Sequence, residues 1–175
     1  MFKYLLDIIK KMKGNVLTIG IDDKLLNCFN NNSCVNVYTL DRAKGIFGKS
    51  KKRRDNKGKT INIKKLKKYF HKKSLDYIVI DYSEIKDYIK YVIRDIVSLN
   101  NNKVYIYCDK EVDIELLVKR FKRYKASSII KEFKDNYVIE IDNGNSRTNW
   151  FKNKIYYIPD TGYNIIEFIS NVLIS

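Results

Sequence analysis

The chain has 175 residues, and its 35 Lys and Arg against 20 Asp and Glu give a formal net charge of +15. Apolar residue types make up 45% of it, which is enough to bury a core, so a disordered basic protein is excluded. A membrane-spanning helix is excluded as well, because no run of about 18 uncharged apolar residues occurs. The length fits one domain, and we expect residues 1–175 to form a single one.

Almost all of the excess charge lies in one stretch. Residues 42–73 contain 15 Lys and Arg and a single acid, Asp55, for a local charge of +14. AT-rich codon usage explains scattered lysine and asparagine, but it does not concentrate charge in one place. We therefore predict a local basic surface rather than a uniformly basic protein.

The first half of the chain predicts helices alternating with strands. An amphipathic helix within residues 1–13 has Leu5, Ile8, Ile9 and Met12 on one face, and we expect it to pack on the core rather than on a membrane. The elements that follow are a buried strand 15–21, a helix from Asp22, a strand 34–40, an irregular basic segment 42–60, a short strand 60–63 and a helix 64–70.

The second half continues the alternation and then changes it. Strand 75–81 is uncharged in its middle and is expected to be central in the sheet. The remaining predicted elements are a helix 82–99, a strand 103–108, a helix 112–124, a hairpin of strands 127–133 and 137–142, a short strand 155–158 and a helix 163–173.

This order predicts an α/β fold. Strands joined through helices run parallel by right-handed crossovers, so we expect a doubly wound, mostly parallel, seven-stranded sheet that ends in a C-terminal antiparallel hairpin. Residues 14–142 form its core and residues 143–175 a C-terminal extension. A ligand crevice is expected at the carboxyl ends of the strands.

The order resembles the class I S-adenosylmethionine-dependent methyltransferase family over residues 14–142. Residues 16–22 stand where that family has its glycine-rich first turn, although Gly20 is the one glycine there. Asp41 stands where the family has an acid that binds the ribose hydroxyls. Residues 75–81 look like the family's motif that ends beside the methyl donor.

The resemblance implies S-adenosylmethionine as cofactor and assigns roles to five residues. Gly20, Asp22, Asp41 and Asn62 would bind the cofactor, with Asn62 replacing an acid that the family often has for the adenine. Asp81 would lie near the reacting methyl group as the catalytic residue. Four of the five have a structural alternative: a plain turn for Gly20, a helix cap for Asp22 and Asp81, and a strand-end acid or a partner of Arg42 for Asp41.

The basic segment predicts a polyanionic partner, with RNA favoured over duplex DNA because no helix-turn-helix or zinc-finger motif occurs. The alternatives are a solvated loop and a surface for anionic lipid. The candidate nucleic-acid-binding residues are Lys51, Lys52, Arg53, Arg54, Lys57 and Lys59.

Other chemistries have little support. His71 is the one histidine and lies among lysines, and no clustered metal ligands occur, so no metal site is expected. Three cysteines, Cys28, Cys34 and Cys108, without C-x-x-C spacing indicate a reducing, cytoplasmic setting rather than a disulfide framework.

Two functions remain after these exclusions. The first is an S-adenosylmethionine-dependent methyltransferase that acts on a nucleic acid or another polyanion. The second is a non-catalytic binding module of the same fold for RNA or a protein partner. An open crevice over Gly20 would favour the enzyme, and a crevice filled by side chains would favour the module.

Overall fold

The fold is described from a computed structural model, which covers residues 1–42, 52–55, 60–124 and 126–142. At residues 41–42, 52–55, 60–62 and 64–65 the description covers the backbone alone. The described residues all belong to one unit, Met1–Gly144. The strand and helix expected at 155–158 and 163–173 lie outside the described residues, so a single domain over residues 1–175 stays a prediction.

The elements alternate as the sequence predicts. The helices are α1 (Phe2–Ile9), α2 (Asp23–Asn30), α3 (Ile89–Leu99) and α4 (Ile114–Lys122), with 3-10 helices at Ile63–Lys68 and Tyr82–Glu84. The strands are β1 (Gly14–Ile19), β2 (Val35–Arg42), β3 (Lys52–Asp55), β4 (Thr60–Asn62), β5 (Leu75–Asp81), β6 (Asn100–Asp109), β7 (Ser127–Glu132) and β8 (Asn136–Asp142).

The strands form one sheet in the order β4-β3-β2-β1-β5-β6-β8-β7. Strands β2, β1, β5 and β6 are parallel, and β5 lies near the middle as predicted. At one end, β8 runs antiparallel to β6 and β7 runs antiparallel to β8, which confirms the C-terminal hairpin. The doubly wound α/β class is therefore confirmed.

The strand count differs from the expectation, because the described sheet has eight strands rather than seven. The additional strand is β3, which lies in the segment predicted to be irregular and pairs antiparallel with β2 and β4. Its sequence, Lys-Arg-Arg-Asp, has no alternation of apolar and polar residues, so hydrophobic patterning could not reveal it.

Two apolar layers enclose the sheet. One contains the buried residues of α1 and α2, and Leu5, Ile9 and Met12 confirm that α1 packs on the core. The other contains α3, α4 and the 3-10 helix Ile63–Lys68. None of the described helices is long and apolar enough to cross a membrane.

Two predicted helices are shorter or tighter than expected. The helix expected at 64–70 is the 3-10 helix Ile63–Lys68. The helix expected at 82–99 begins with the separate 3-10 helix Tyr82–Glu84, and the α-helical part starts at Ile89. The apolar residues at helical spacing in this stretch are nevertheless all buried: Ile85, Tyr88, Ile89, Val92, Ile93, Ile96 and Val97.

Candidate functional site

The candidate crevice lies where the order of the parallel strands reverses. The chain leaves β1 toward β2 on one side, and it leaves β5 toward β6 on the other. Ile19 is paired with Ile80 in the two neighbouring strands, so Gly20 and Asp81 follow side by side at the carboxyl edge. In open α/β sheets, ligands bind at such a switch point. On the other side of β1, Ile19 is paired with Leu40, so Asp41 follows there, and the structure brings together three of the predicted site residues.

Gly20 is in direct contact with Glu84. Its φ is +68°, a left-handed conformation that side chains disfavour. A Cβ atom placed on Gly20 would lie 2.6 Å from the Cβ atom of Glu84 and closer still to its Cγ atom. The glycine therefore makes room for the glutamate, and the space over the turn is filled by a side chain.

Asp22 caps helix α2. Its side-chain Oδ1 accepts a hydrogen bond from the backbone N–H of Leu25 at 2.8 Å, and its backbone is extended, as at a helix N-cap. Asp22 therefore makes the helix-cap contact that was the alternative to its cofactor role. The carboxylate remains close enough to Tyr107 to affect that hydroxyl.

Asp81 ends strand β5 and caps the 3-10 helix that follows. Its Oδ1 accepts from the backbone N–H of Ser83 at 2.8 Å, and the hydroxyl of Tyr107 donates to the same carboxylate. Burial raises the pKa of Asp81 above its ordinary value, and the hydrogen bonds from Ser83 and Tyr107 partly oppose that rise. Burial, followed by the charge of Asp81, raises the pKa of Tyr107.

A cavity of about 450 Å³ opens beside Asp81 at the carboxyl ends of β5 and β6. Its wall includes Tyr107, Asp109 and Asp113, with Leu117 as part of its apolar lining. Asp113 caps α4 through the N–H of Leu116 at 2.9 Å, and Asp109 accepts from the side-chain amide of Asn136 at 2.9 Å. These two carboxylates of the wall thus already have structural hydrogen bonds.

Asp41 lies beside Gly20 on the opposite side from Asp81, because Leu40 of β2 is paired with Ile19 of β1. Strand β2 ends at Arg42, so Asp41 is its penultimate residue, close to the strand end as predicted, and it is paired with Arg54 of β3. Asn62 ends β4 opposite Lys52. Their side chains lie outside the description, so both cofactor roles stay predictions.

Three of the six predicted nucleic-acid-binding residues lie in the described part of the chain. Lys52, Arg53 and Arg54 form most of β3, next to β2. Lys51, Lys57 and Lys59 lie outside the described residues.

Two residues of the site were missed by sequence reasoning. Glu84 and Tyr107 become significant only because β1, β5 and β6 are neighbours in the sheet. No local motif marks either of them. The sequence gives a weak indication of Tyr107, because its side chain carries a hydroxyl within a buried strand. It gives no indication of Glu84.

Other chemistry finds little support in the described part of the chain. It contains no group of three His, Cys, Asp or Glu side chains that could hold a metal ion. Its three cysteines are free, and burial raises the pKa of the Cys108 thiol to about 11, so at neutral pH that thiol is protonated.

No protein-family model and no curated protein match this chain. Several solved structures are similar to it, and they are methyltransferases. The release-factor-specific protein-(glutamine-N5) methyltransferase of Alicyclobacillus acidocaldarius is 9% identical with a TM-score of 0.47, over 79% of this chain and 90% of that one.

Two further structures are similar at the same level. The precorrin-6y C5,15-methyltransferase of Geobacter metallireducens is 12% identical with a TM-score of 0.44, over 79% of this chain and 85% of that one. The MycE methyltransferase of the mycinamycin pathway, solved with Mg and SAH, is 11% identical with a TM-score of 0.49, over 85% of this chain and 48% of that one.

Likeness at this level carries no functional argument, and the fold assignment rests on the strand order itself. Four parallel strands followed by a reversed hairpin define a methyltransferase-like Rossmann fold. On the side of Gly20 that a Cβ atom would face, Glu84 leaves no room for S-adenosylmethionine.

Proposed function

We propose that this chain is a binding module of the methyltransferase-like fold and that its basic segment, taken as residues 42–73, binds a polyanion, RNA in particular. The observation that carries this proposal is the structural setting of the basic segment. Its described parts are strands β3 and β4 and the 3-10 helix Ile63–Lys68, all joined to the sheet or packed on it.

The basic segment is held in place by apolar anchors. Ile63 and Leu66 are completely buried, and both belong to the core layer that contains α3. Lys67 forms a salt bridge of 3.4 Å with Asp95 of α3, which ties the same turn to the helix. Cations placed on a supported backbone bind phosphate with a smaller loss of conformational entropy than cations on a free tail.

The charge of this segment favours phosphate over other anionic groups. Each neutralised phosphate releases counterions from the nucleic acid, and the local charge of +14 over residues 42–73 makes several such contacts available. Arg53 and Arg54 add bidentate hydrogen bonding that lysine does not provide. Single-stranded or structured RNA is the substrate class that this combination supports best.

The direct test is an RNA-binding measurement with a charge-matched control. The variant in which Lys51, Lys52, Arg53 and Arg54 are all changed to Ala is expected to weaken binding of a single-stranded RNA at least tenfold. A control with Lys3, Lys10, Lys11 and Lys13 changed to Ala loses the same charge near helix α1 and is expected to bind almost as the parent does. Equal losses in the two variants would contradict a localised site.

A methyltransferase is the second candidate, and the cavity of about 450 Å³ beside Asp81 supports it. A crevice at the carboxyl ends of the strands is where an α/β enzyme binds its ligands. In this case S-adenosylmethionine would raise the melting temperature of the parent protein, and Asp41→Ala would abolish the rise. An unchanged melting temperature at millimolar ligand would remove this candidate.

A further inference from the structure

The side chain of Glu84 lies at the switch point of the sheet. Gly20 follows β1 on one side of the reversal, and Glu84 follows β5 on the other. A parallel α/β sheet leaves a crevice between two such connections, because they turn away from each other to opposite neighbours. The crevice is thus a property of the fold, and its contents are a property of this sequence.

Glu84 fills this crevice against the backbone of Gly20. A Cβ atom on Gly20 would lie 2.6 Å from Cβ of Glu84 and 3.3 Å from its Cδ. Atoms this close leave no room for a ligand on the side of Gly20 that Glu84 covers. We infer that Glu84 excludes adenosyl ligands from the switch-point crevice, and that Gly20 serves to admit Glu84 rather than a cofactor.

The connection that carries Glu84 is fixed at both ends. Before it, Asp81 caps the 3-10 helix through the N–H of Ser83 at 2.8 Å. After it, Ile85 is completely buried in the core, and its backbone N–H donates to the carbonyl of Tyr82 at 3.0 Å. Moving the Glu84 backbone away would break the cap or expose Ile85, so the side chain remains over Gly20.

The electrostatic surroundings act in the same direction as the steric ones. Asp22, Asp81 and Glu84 all lie close enough to Tyr107 for their charges to raise the pKa of its hydroxyl. A ligand that brings its own carboxylate into this group would meet repulsion from like charges. Glu84 therefore contributes both volume and negative charge to the exclusion.

Three variants separate volume from charge. Glu84→Ala removes both, Glu84→Gln keeps the volume and removes the charge, and Asp87→Ala removes an exposed carboxylate from the same connection as a matched control. The probe is S-adenosylhomocysteine at millimolar concentration, read by the shift in melting temperature and by calorimetric titration.

The inference predicts a gain of binding when Glu84 is changed. Glu84→Ala is expected to bind S-adenosylhomocysteine at least tenfold more tightly than the parent, with a melting temperature raised by several degrees. The parent and Asp87→Ala are expected to show no shift, and Glu84→Gln, which keeps the volume, is expected to show a gain well below that of Glu84→Ala. Equal binding by the parent and Glu84→Ala, or no binding by Glu84→Ala, would overturn the inference.

A folding control keeps the result interpretable. Circular dichroism checks that Glu84→Ala retains the parent's secondary structure, and Glu84→Ser provides a second shortened side chain with the same expected gain. The RNA-binding measurement on the parent is independent of these results, so a failure here and a failure of the polyanion proposal are read from different experiments.

Discussion

Gly20 meets two demands that only a glycine satisfies together. Its φ of +68° disfavours a side chain, and its Cα faces Glu84. We expect Gly20→Ala to cost about 1 kcal/mol for the backbone conformation and roughly 1–3 kcal/mol more for the overlap with Glu84.

A double-mutant cycle separates the cost of the backbone conformation from the cost of the overlap with Glu84. Urea unfolding of Gly20→Ala in the Glu84→Ala background should show the backbone cost of about 1 kcal/mol alone, because the overlapping atoms are gone. The same loss of unfolding free energy in both backgrounds would mean that the contact has no energetic weight.

Asp81 gives a prediction about pH. Its pKa is raised in the folded state by burial, so the folded protein favours the protonated form, and ionised Asp81 reduces stability at neutral pH. That reduction disappears as the pH falls below the ordinary Asp value near 3.8. Asp81→Asn retains an acceptor for the cap, so it should be more stable than the parent at pH 7.

Denaturant unfolding of the parent and Asp81→Asn at pH 7 and at about pH 3.5 checks this sign. The difference in unfolding free energy should favour Asp81→Asn at pH 7 and shrink toward zero at the lower pH. A difference that grows on acidification would show that ionised Asp81 stabilises the fold.

Part of the candidate site was predictable from the sequence, and part was not. Asp22 and Asp81 follow buried strands, and a carboxylate there is typical of a helix cap, which is the contact that each makes. Glu84 lies far from Gly20 in the sequence and near it only because β1 and β5 pair. Local patterns carry no information on such a contact, so its effect on the crevice required the structure.

Some of the secondary-structure elements were likewise predictable from the sequence, and others were not. Strands β1, β5 and β6 and helix α3 have strong apolar periodicity, and the sequence located them. Strand β3 has no such periodicity, because its residues are charged and its pairing with β2 is set by the backbone. A strand of this kind is stabilised by the strands on either side of it, here β2 and β4, rather than by its own composition.

The 3-10 helix Ile63–Lys68 provides a prediction at the scale of an element. Leu66 is completely buried, and it connects the basic segment to the core layer of α3. We expect Leu66→Ala to lower the unfolding free energy by about 2–5 kcal/mol, as for other buried leucines.

Leu116→Ala is the matched control for that measurement. Leu116 is 44% exposed, so its truncation should cost well under 1 kcal/mol in the same urea titration. Similar losses at the two positions would mean that the 3-10 helix is not anchored as described.

At the scale of the whole molecule, the charge is distributed very unevenly. The chain carries +15 and residues 42–73 carry +14, which leaves +1 for all other residues. The described part of the basic segment lies toward the β4 end of the sheet, on the far side of β2 and β1 from the cavity beside Asp81. The described part of the basic segment and the cavity are therefore separate regions of the sheet.

The salt dependence of RNA binding tests the central claim most directly. For single-stranded nucleic acid, the slope of log K against log salt concentration is about −0.7 for each neutralised phosphate. We predict a steep slope for the parent. The slope should be reduced by as much as about 2.8 in the variant with Ala at Lys51, Lys52, Arg53 and Arg54. It should be unchanged in the control with Ala at Lys3, Lys10, Lys11 and Lys13. Binding that is insensitive to salt, or absent at low salt, would contradict phosphate binding by the basic segment.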